Sequence, residues 1–300
     1  YPDHPITRAD WSNYLASVEA MDQKVGKVLE RLEQEELLDK TVILFFGDHG
    51  RPHVRGKQWL YDAGLHVPLI MRLPDLEHAG KVRDRLVSLL DPMPTTLGIA
   101  GVTEPGLPGL DLLAEDWIGH EHIIAARDRC GDAVDRIRCV REERWKYIRN
   151  FHPERPYMQH SGYKKLSYPV MTLMNVLHAQ GNWDAPFMAA ERPMEELYDL
   201  RTDPHELHNL AGDPMHAPEL SRLRGILNEW VGATNDQGAI DESLTVDMDA
   251  LMQEKRAYYE RGMQRRGLDP DVSDEEYLRW WYDDLGLRSE GVVESVGVAE

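Results

Sequence analysis

The stretch Val42-Ile-Leu-Phe-Phe-Gly-Asp-His-Gly-Arg-Pro-His53 decides the reading of this chain. A continuous apolar, β-prone run, starting at Thr41 and ending at Phe46, has the texture of a strand buried on both faces of a parallel sheet. It stops at Gly47-Asp48-His49-Gly50, where a carboxylate and an imidazole stand side by side between two residues that tolerate sharp turns and close approach. In an open α/β sheet, ligands bind beyond the carboxyl ends of the strands, so Asp48 and His49 occupy a place where a site is expected. Asp48 offers a hard anionic oxygen and His49 a ring nitrogen, a pair suited to a metal ion whose other ligands lie elsewhere. The competing reading is an aspartate capping a turn beside a solvent-facing histidine.

Working outward, apolar residues at Tyr14, Val18, Met21, Val25, Leu29 and Leu32 recur at helical spacing and predict an amphipathic helix within 7–38. Val67-Pro-Leu-Ile-Met71 predicts a second strand, and 83–101 a helix interrupted by Pro92 and Pro94 and stopped by Gly101. Helix, strand, loop, strand and helix predict an α/β layer, with a sheet sandwiched by helices. Beyond 104–109 the texture changes. His122–Ala126, Arg136–Val140 and Trp145–Arg149 are short alternating segments, expected to form the antiparallel sheet of a smaller α+β domain. Residues 151–194 show little periodicity and read as a long surface excursion, followed by a strand at Glu196–Leu200 and a closing helix at Pro218–Val231. The expected division is 1–117, 118–238 and a helical extension 239–300.

The 300 residues carry a formal net charge of −19, with a pI near 5.1, which opposes a general nucleic-acid or acidic-membrane surface. No apolar run approaches the length of a membrane span. Cys130 and Cys139 are too few for a disulfide framework and lack zinc-type spacing; two buried thiols are expected, with one bridge between them as the alternative. Because Tyr1 leads almost directly into a helix with no preceding strand, an N-terminal portion is expected to be missing, and compartment stays open.

Arg51, His53, Arg55 and Lys57 follow the Asp-His pair closely and suggest an anion-binding cup, since lysine suits a tetrahedral oxyanion as a point charge. With "TVILFFGDHG" (41–50), "GKQWLYDAGLHVPLIMRLP" (56–74) and "VSLLDPMPTTLGIAGV" (87–102), the chain resembles the second half of the catalytic domain of the formylglycine-dependent sulfatases, in the alkaline phosphatase superfamily. "RDRCGDAVDRIRCVREERWKYIRNF" (127–151) and "EELYDLRTDPHELHNLAGDP" (195–214) are similar to the small C-terminal domain of that family. The resemblance covers most of residues 8–236 and is nearest to the heparan N-sulfatase (sulfamidase) branch, although Asp48-His49 and Lys57 stand where that branch has Asp-Asn and Arg.

The resemblance implies that Asp48 and His49 bind a divalent cation, usually calcium with magnesium as the alternative, and that Lys57 contacts the sulfate oxygens. Imidazole is a poor match to calcium, so Asp48 would supply most of the binding. The family's nucleophile is a formylglycine made within a Cys-x-Pro-x-Arg or Ser-x-Pro-x-Arg motif; neither Cys130 nor Cys139 fits, and the family's paired metal-binding aspartates are absent too. The implied protein is therefore a sulfatase acting on a sulfated sugar or glycosaminoglycan. This chain is expected to hold half of its active site and to be inert alone. His53 and Arg127 are further candidates for substrate contact, with Arg129, Glu191 and Arg192 weaker ones. Asp199, Asp203, Glu206 and Asn209 read as turn residues, and Trp280-Trp281-Tyr282 as aromatics docking a terminal helix. Two alternatives stand: a zinc or manganese phosphodiesterase or phosphomutase of the same superfamily, and a non-catalytic anion-binding remnant.

Overall fold

The computed structural model describes residues 1–102 and 104–287. Helix α1 (Pro5–Gln34) begins where the His4 ring accepts from the Ile6 N–H at 3.2 Å, with Pro5 in the first turn, where a missing N–H costs nothing. Only Ile6, Thr7 and Asp10 of α1 are buried; Val18 and Met21, on the predicted apolar face, are exposed. Strand β1 (Ile43–Phe46), the single-turn helix α2 (Asp62–Leu65) and strand β2 (Leu69–Arg72) follow.

The expected parallel layer does not form among the described residues. β1 and β2 pair antiparallel, Phe46 opposite Leu69, as a sheet of two strands. The cause lies in the connection. The connection, 47–68, is long enough for a parallel crossover, but in place of a helix laid along the sheet it holds only the one-turn α2 and folds back on itself. The predicted 83–101 helix shortens to α3 (Pro92–Ile99), because two prolines tolerated in a first turn set its start. Gly101, with φ +69°, ends it as expected.

Strands β3 (Ile123–Cys130), β4 (Ala133–Arg141) and β5 (Trp145–Asn150) run as predicted and form an antiparallel sheet in the order β3-β4-β5-β6. Between β5 and β6 the expected irregular excursion holds at both ends, but its middle is helical, with α4 (Gly162–Ser167) and α5 (Pro169–Ala179). Val170, Met171, Thr172, Leu173, Met174 and Val176 of α5 are all buried. A helix buried over most of its circumference leaves only a narrow polar strip, here Asn175 and His178, for periodicity to detect. Strand β6 (Glu195–Asp199) completes the sheet, and α6 (Ala217–Thr234), α7 (Met248–Arg265) and α8 (Asp274–Asp284) follow.

The sheet is buried on both faces, which accounts for its alternation. Val140, Trp145, Tyr147 and Leu197 pack on Leu220, Leu223 and Leu227 of α6. On the opposite face Ile137, Cys139, Ile148 and Tyr198 pack on Trp59, Leu60 and Tyr61 of the loop leading into α2. Burying each of these three loop side chains contributes about 1.5–3 kcal/mol, enough to immobilise the loop. A third cluster joins Ile6 of α1 to Leu166, Leu173, Tyr259, Met263, Tyr277 and Trp281, so the C-terminal aromatics dock a terminal helix as read, and the Tyr282 hydroxyl lies 2.9 Å from His4 Nε2. Both cysteines are free; Cys139 is buried, Cys130 partly exposed. Among the described residues no helix is long and apolar enough to cross a membrane.

Candidate functional site

Asp48 and His49 stand just past β1, and the backbone there is fixed from both sides. Gly47 N–H donates to Pro68 O at 3.1 Å, and Gly50 N–H to Gly64 O at 2.9 Å. The second contact requires glycine: a Cβ on Gly50 would lie 2.0 Å from the Ala63 carbonyl oxygen. The loop then turns back, with Lys57 N–H donating to Arg51 O at 2.7 Å and Arg55 and Gln58 both at positive φ.

A cavity of about 1010 Å³ opens beside the pair, lined by Asp48, His49, Gly50, Arg51 and Arg55, by Trp11 and Tyr14 of α1, and by Pro204–Leu207 after β6. The Asp48 side chain is 86% exposed, with Oδ2 3.6 Å from His49 Nε2. His49 Nδ1 lies 2.8 Å from Gly50 O, and a carbonyl can only accept, so Nδ1 carries a proton and Nε2 is the ring nitrogen on the Asp48 side. That is the arrangement in which a ligating histidine is held by its second ring nitrogen. The chain thus presents one carboxylate and one imidazole; among the described residues no group of three or more metal-ligating side chains gathers.

The other predicted site residues are placed apart from this pair. The Lys57 ammonium lies 5.1 Å from the Tyr163 ring centroid, and Lys57 is not among the residues lining the cavity. His53 is fully buried, stacked on Trp11 at 4.6 Å, with Nε2 3.3 Å from Asp10. Arg51 lies over Trp11, and Arg55 over Tyr61 while donating to the carbonyls of His205 and Glu206. The four cationic groups read as one cup are therefore divided: Arg51 and His53 share Trp11, whereas Arg55 and Lys57 engage other partners. Arg127 is buried, donating to Gln159 Oε1 at 3.0 Å. Arg192 is buried against Asp135 at 2.9 Å, and Arg129 pairs with Glu242. Asp203 and Asn209 accept backbone N–H groups, the turn role read for them.

Charge pairing anchors α2 beneath the cavity. Burial would raise the Asp62 carboxyl, but hydrogen bonds from Arg141 and Lys146 outweigh it and hold the group at about 2. Fully buried Lys146 also pairs with Glu206 at 2.7 Å. Sequence reading missed the cavity's α1 wall, since Trp11 and Tyr14 were legible only as helix-face residues. It missed Glu196 as well, a carboxylate in a strand that reads as apolar.

Residues 3–102 match the family model described as Sulfatase. The chain is 36% identical over 251 residues to an ulvan-active sulfatase of Formosa agariphila, covering 81% of this chain and 41% of that protein. It is 28% identical over 285 residues to the N-sulphoglucosamine sulphohydrolase of Homo sapiens, covering 84% of this chain and 55% of that one. In fold it is similar to a solved 2-O GAG sulfatase, with a TM-score of 0.53 at 22% identity, over 72% of this chain and 42% of the other. The chain belongs to the sulfatases, and it covers only part of one. It spans 41% to 55% of the length of these two curated relatives.

Proposed function

We propose that this chain is the C-terminal portion of a sulfatase that hydrolyses sulfate esters or N-sulfate groups of a sulfated sugar. The observation that carries the reading is the His49 ring, held at Nδ1 by Gly50 O so that Nε2 faces Asp48 at the cavity rim. The matched relatives support the substrate class, one by its action on N-sulphoglucosamine. Residues 1–117 are assigned to the catalytic domain, 118–238 to the smaller domain and 239–300 to a helical extension, of which 288–300 lie outside the described residues.

Asp48 and His49 fit a divalent cation as part of its ligand set. The single carboxylate suits calcium or magnesium, and the imidazole is the weaker donor for either. Bound there, the cation would supply Lewis-acid polarisation of the sulfate. Lys57, on a stem long enough to leave Tyr163, is assigned to the sulfate oxygens, where its charge opposes the negative charge that develops as the S–O or S–N bond breaks. His53 and Arg127, both enclosed, are left out of substrate contact in this reading. No Cys-x-Pro-x-Arg or Ser-x-Pro-x-Arg segment occurs in the 300 residues, so this reading requires a nucleophile that they do not supply.

Calorimetric titration of the chain with calcium is expected to show weak binding that Asp48→Ala abolishes. Binding indifferent to Asp48 would sink the metal assignment. Stoichiometric zinc or manganese with phosphodiester turnover would favour the phosphoryl enzyme instead. Aryl sulfate and N-sulfoglucosamine assays of the chain alone should give no turnover above a Lys57→Ala control.

A further inference from the structure

A second, small cavity of about 10 Å³ lies away from Asp48 and His49, lined among others by Gln58, Trp59, Arg127, Gln159, Lys164 and Met171. Its volume suits one atom-sized occupant and excludes a sugar or a sulfate.

Its walls carry uncompensated positive charge. Lys164 retains 3% exposure, and its ammonium donates to Lys57 O at 2.7 Å; among the described residues no carboxylate lies within ion-pair distance of it. The Arg127 side chain retains 5% exposure, and its Nε and Nη1 are buried without hydrogen-bond partners. The carboxylate nearest to Arg127, Asp135 at 3.8 Å, is already engaged by Arg192 at 2.9 Å and by Gln159 at 2.5 Å. Trp59 supplies no countercharge, its ring lying 4.8 Å from the Arg127 guanidinium carbon and 5.4 Å from that of Arg192. Buried charges are normally paired, and unmade hydrogen bonds of buried donors are costly. A water molecule would accept from these donors without neutralising them; an anion does both.

We propose that the cavity between Arg127 and Lys164 binds one monoatomic anion, chloride in solution, which joins α4 and the sheet to the loop that carries Lys57. The Lys164 ammonium is held down at about 7, by burial first and then by the Arg127 charge, which fits a site whose countercharge has still to arrive. The inference does not rest on the sulfatase reading, because none of these groups belongs to the Asp48 cavity.

The test is thermal unfolding of the full chain at about pH 6, where Lys164 is protonated, at fixed ionic strength in sodium chloride, sodium bromide and sodium gluconate. At a hundredfold excess over Kd, either halide is expected to raise the midpoint by about 5 °C relative to gluconate. Lys164→Met should abolish that gain without lowering the midpoint in gluconate. Crystals soaked in bromide should give an anomalous peak between Arg127 and Lys164. Equal midpoints in the three salts overturn the proposal, as does a bromide map without that peak. If Lys164→Met does not fold, the wild-type bromide map decides.

Discussion

The Tyr61 hydroxyl donates to Glu196 Oε2 at 2.7 Å, linking the loop below the Asp48 cavity to the last strand of the large sheet. Tyr198 donates to the same oxygen at 2.6 Å, while Oε1 accepts from Tyr157 and from Asn150. One buried carboxylate thus takes four donors, and burial pushes the Tyr61 hydroxyl well above its ordinary range. Glu196→Gln keeps the shape but turns one acceptor into a donor facing phenolic O–H groups. Urea unfolding should show a loss of roughly 3 kcal/mol. A loss below about 0.5 kcal/mol, the scale of ordinary surface changes, would mean that the network is not fastening the loop.

Gly50→Ala would drive a methyl group into the Ala63 carbonyl, at 2.0 Å. A backbone oxygen cannot swing aside as a side chain can, so the strand end must shift. A loss of at least about 3 kcal/mol is expected, together with loss of any Asp48-dependent calcium binding. Gly26→Ala in α1 meets nothing within 4 Å and should gain about 0.5–1 kcal/mol, which makes it the matched control.

Lys164 gives a pH dependence of definite sign. Its folded-state value of about 7 lies below the ordinary 10.5, held down by burial and by the charges of Arg127 and Lys57, with Cys130 acting the other way. Between about 7 and 10.5 the unfolded chain keeps a proton that the folded chain has released, so stability rises with pH across that window and this contribution is flat below it. Urea midpoints in gluconate from pH 6 to 10 should show the rise, and Lys164→Met should remove it. A wild-type profile that matches the variant would show that Lys164 does not titrate in this window.

Leu15 and Val28 of α1 are each 60% exposed. Glutamate at either position should change stability by no more than about 0.5 kcal/mol, since neither side chain loses buried contacts. A cost above 2 kcal/mol in the same urea assay would mean that α1 is covered in solution at the substituted position.

The large sheet was legible because Val140/Cys139, Tyr147/Ile148 and Leu197/Tyr198 alternate between two covered faces, and a period of two survives in sequence. The position of Asp48 and His49 was legible for a related reason: an apolar run cut off by glycine marks a strand end whatever its partner. The direction of the β1–β2 pairing was not, since Val67–Met71 carries no trace of which strand it will meet. Helix α5 was hidden because most of its circumference is buried, leaving only a narrow polar strip at Asn175 and His178. The fate of the cationic loop was hidden because Arg51, His53, Arg55 and Lys57 are alike in charge, and partners far along the chain, from Asp10 to Glu206, separate them.

The antiparallel pair β1–β2 has a consequence for how the chain behaves in company. Each of its two strands has one neighbour among the described residues, so each presents an outer row of N–H and C=O groups, and Phe46 and Ile70 beside them are exposed. An open strand edge next to an uncharged Ile-Leu-Phe-Phe segment is a template for further strands. Concentrated solutions of the chain should therefore add strands edge to edge, and a charged residue at Ile70 is the change that would keep the molecules separate.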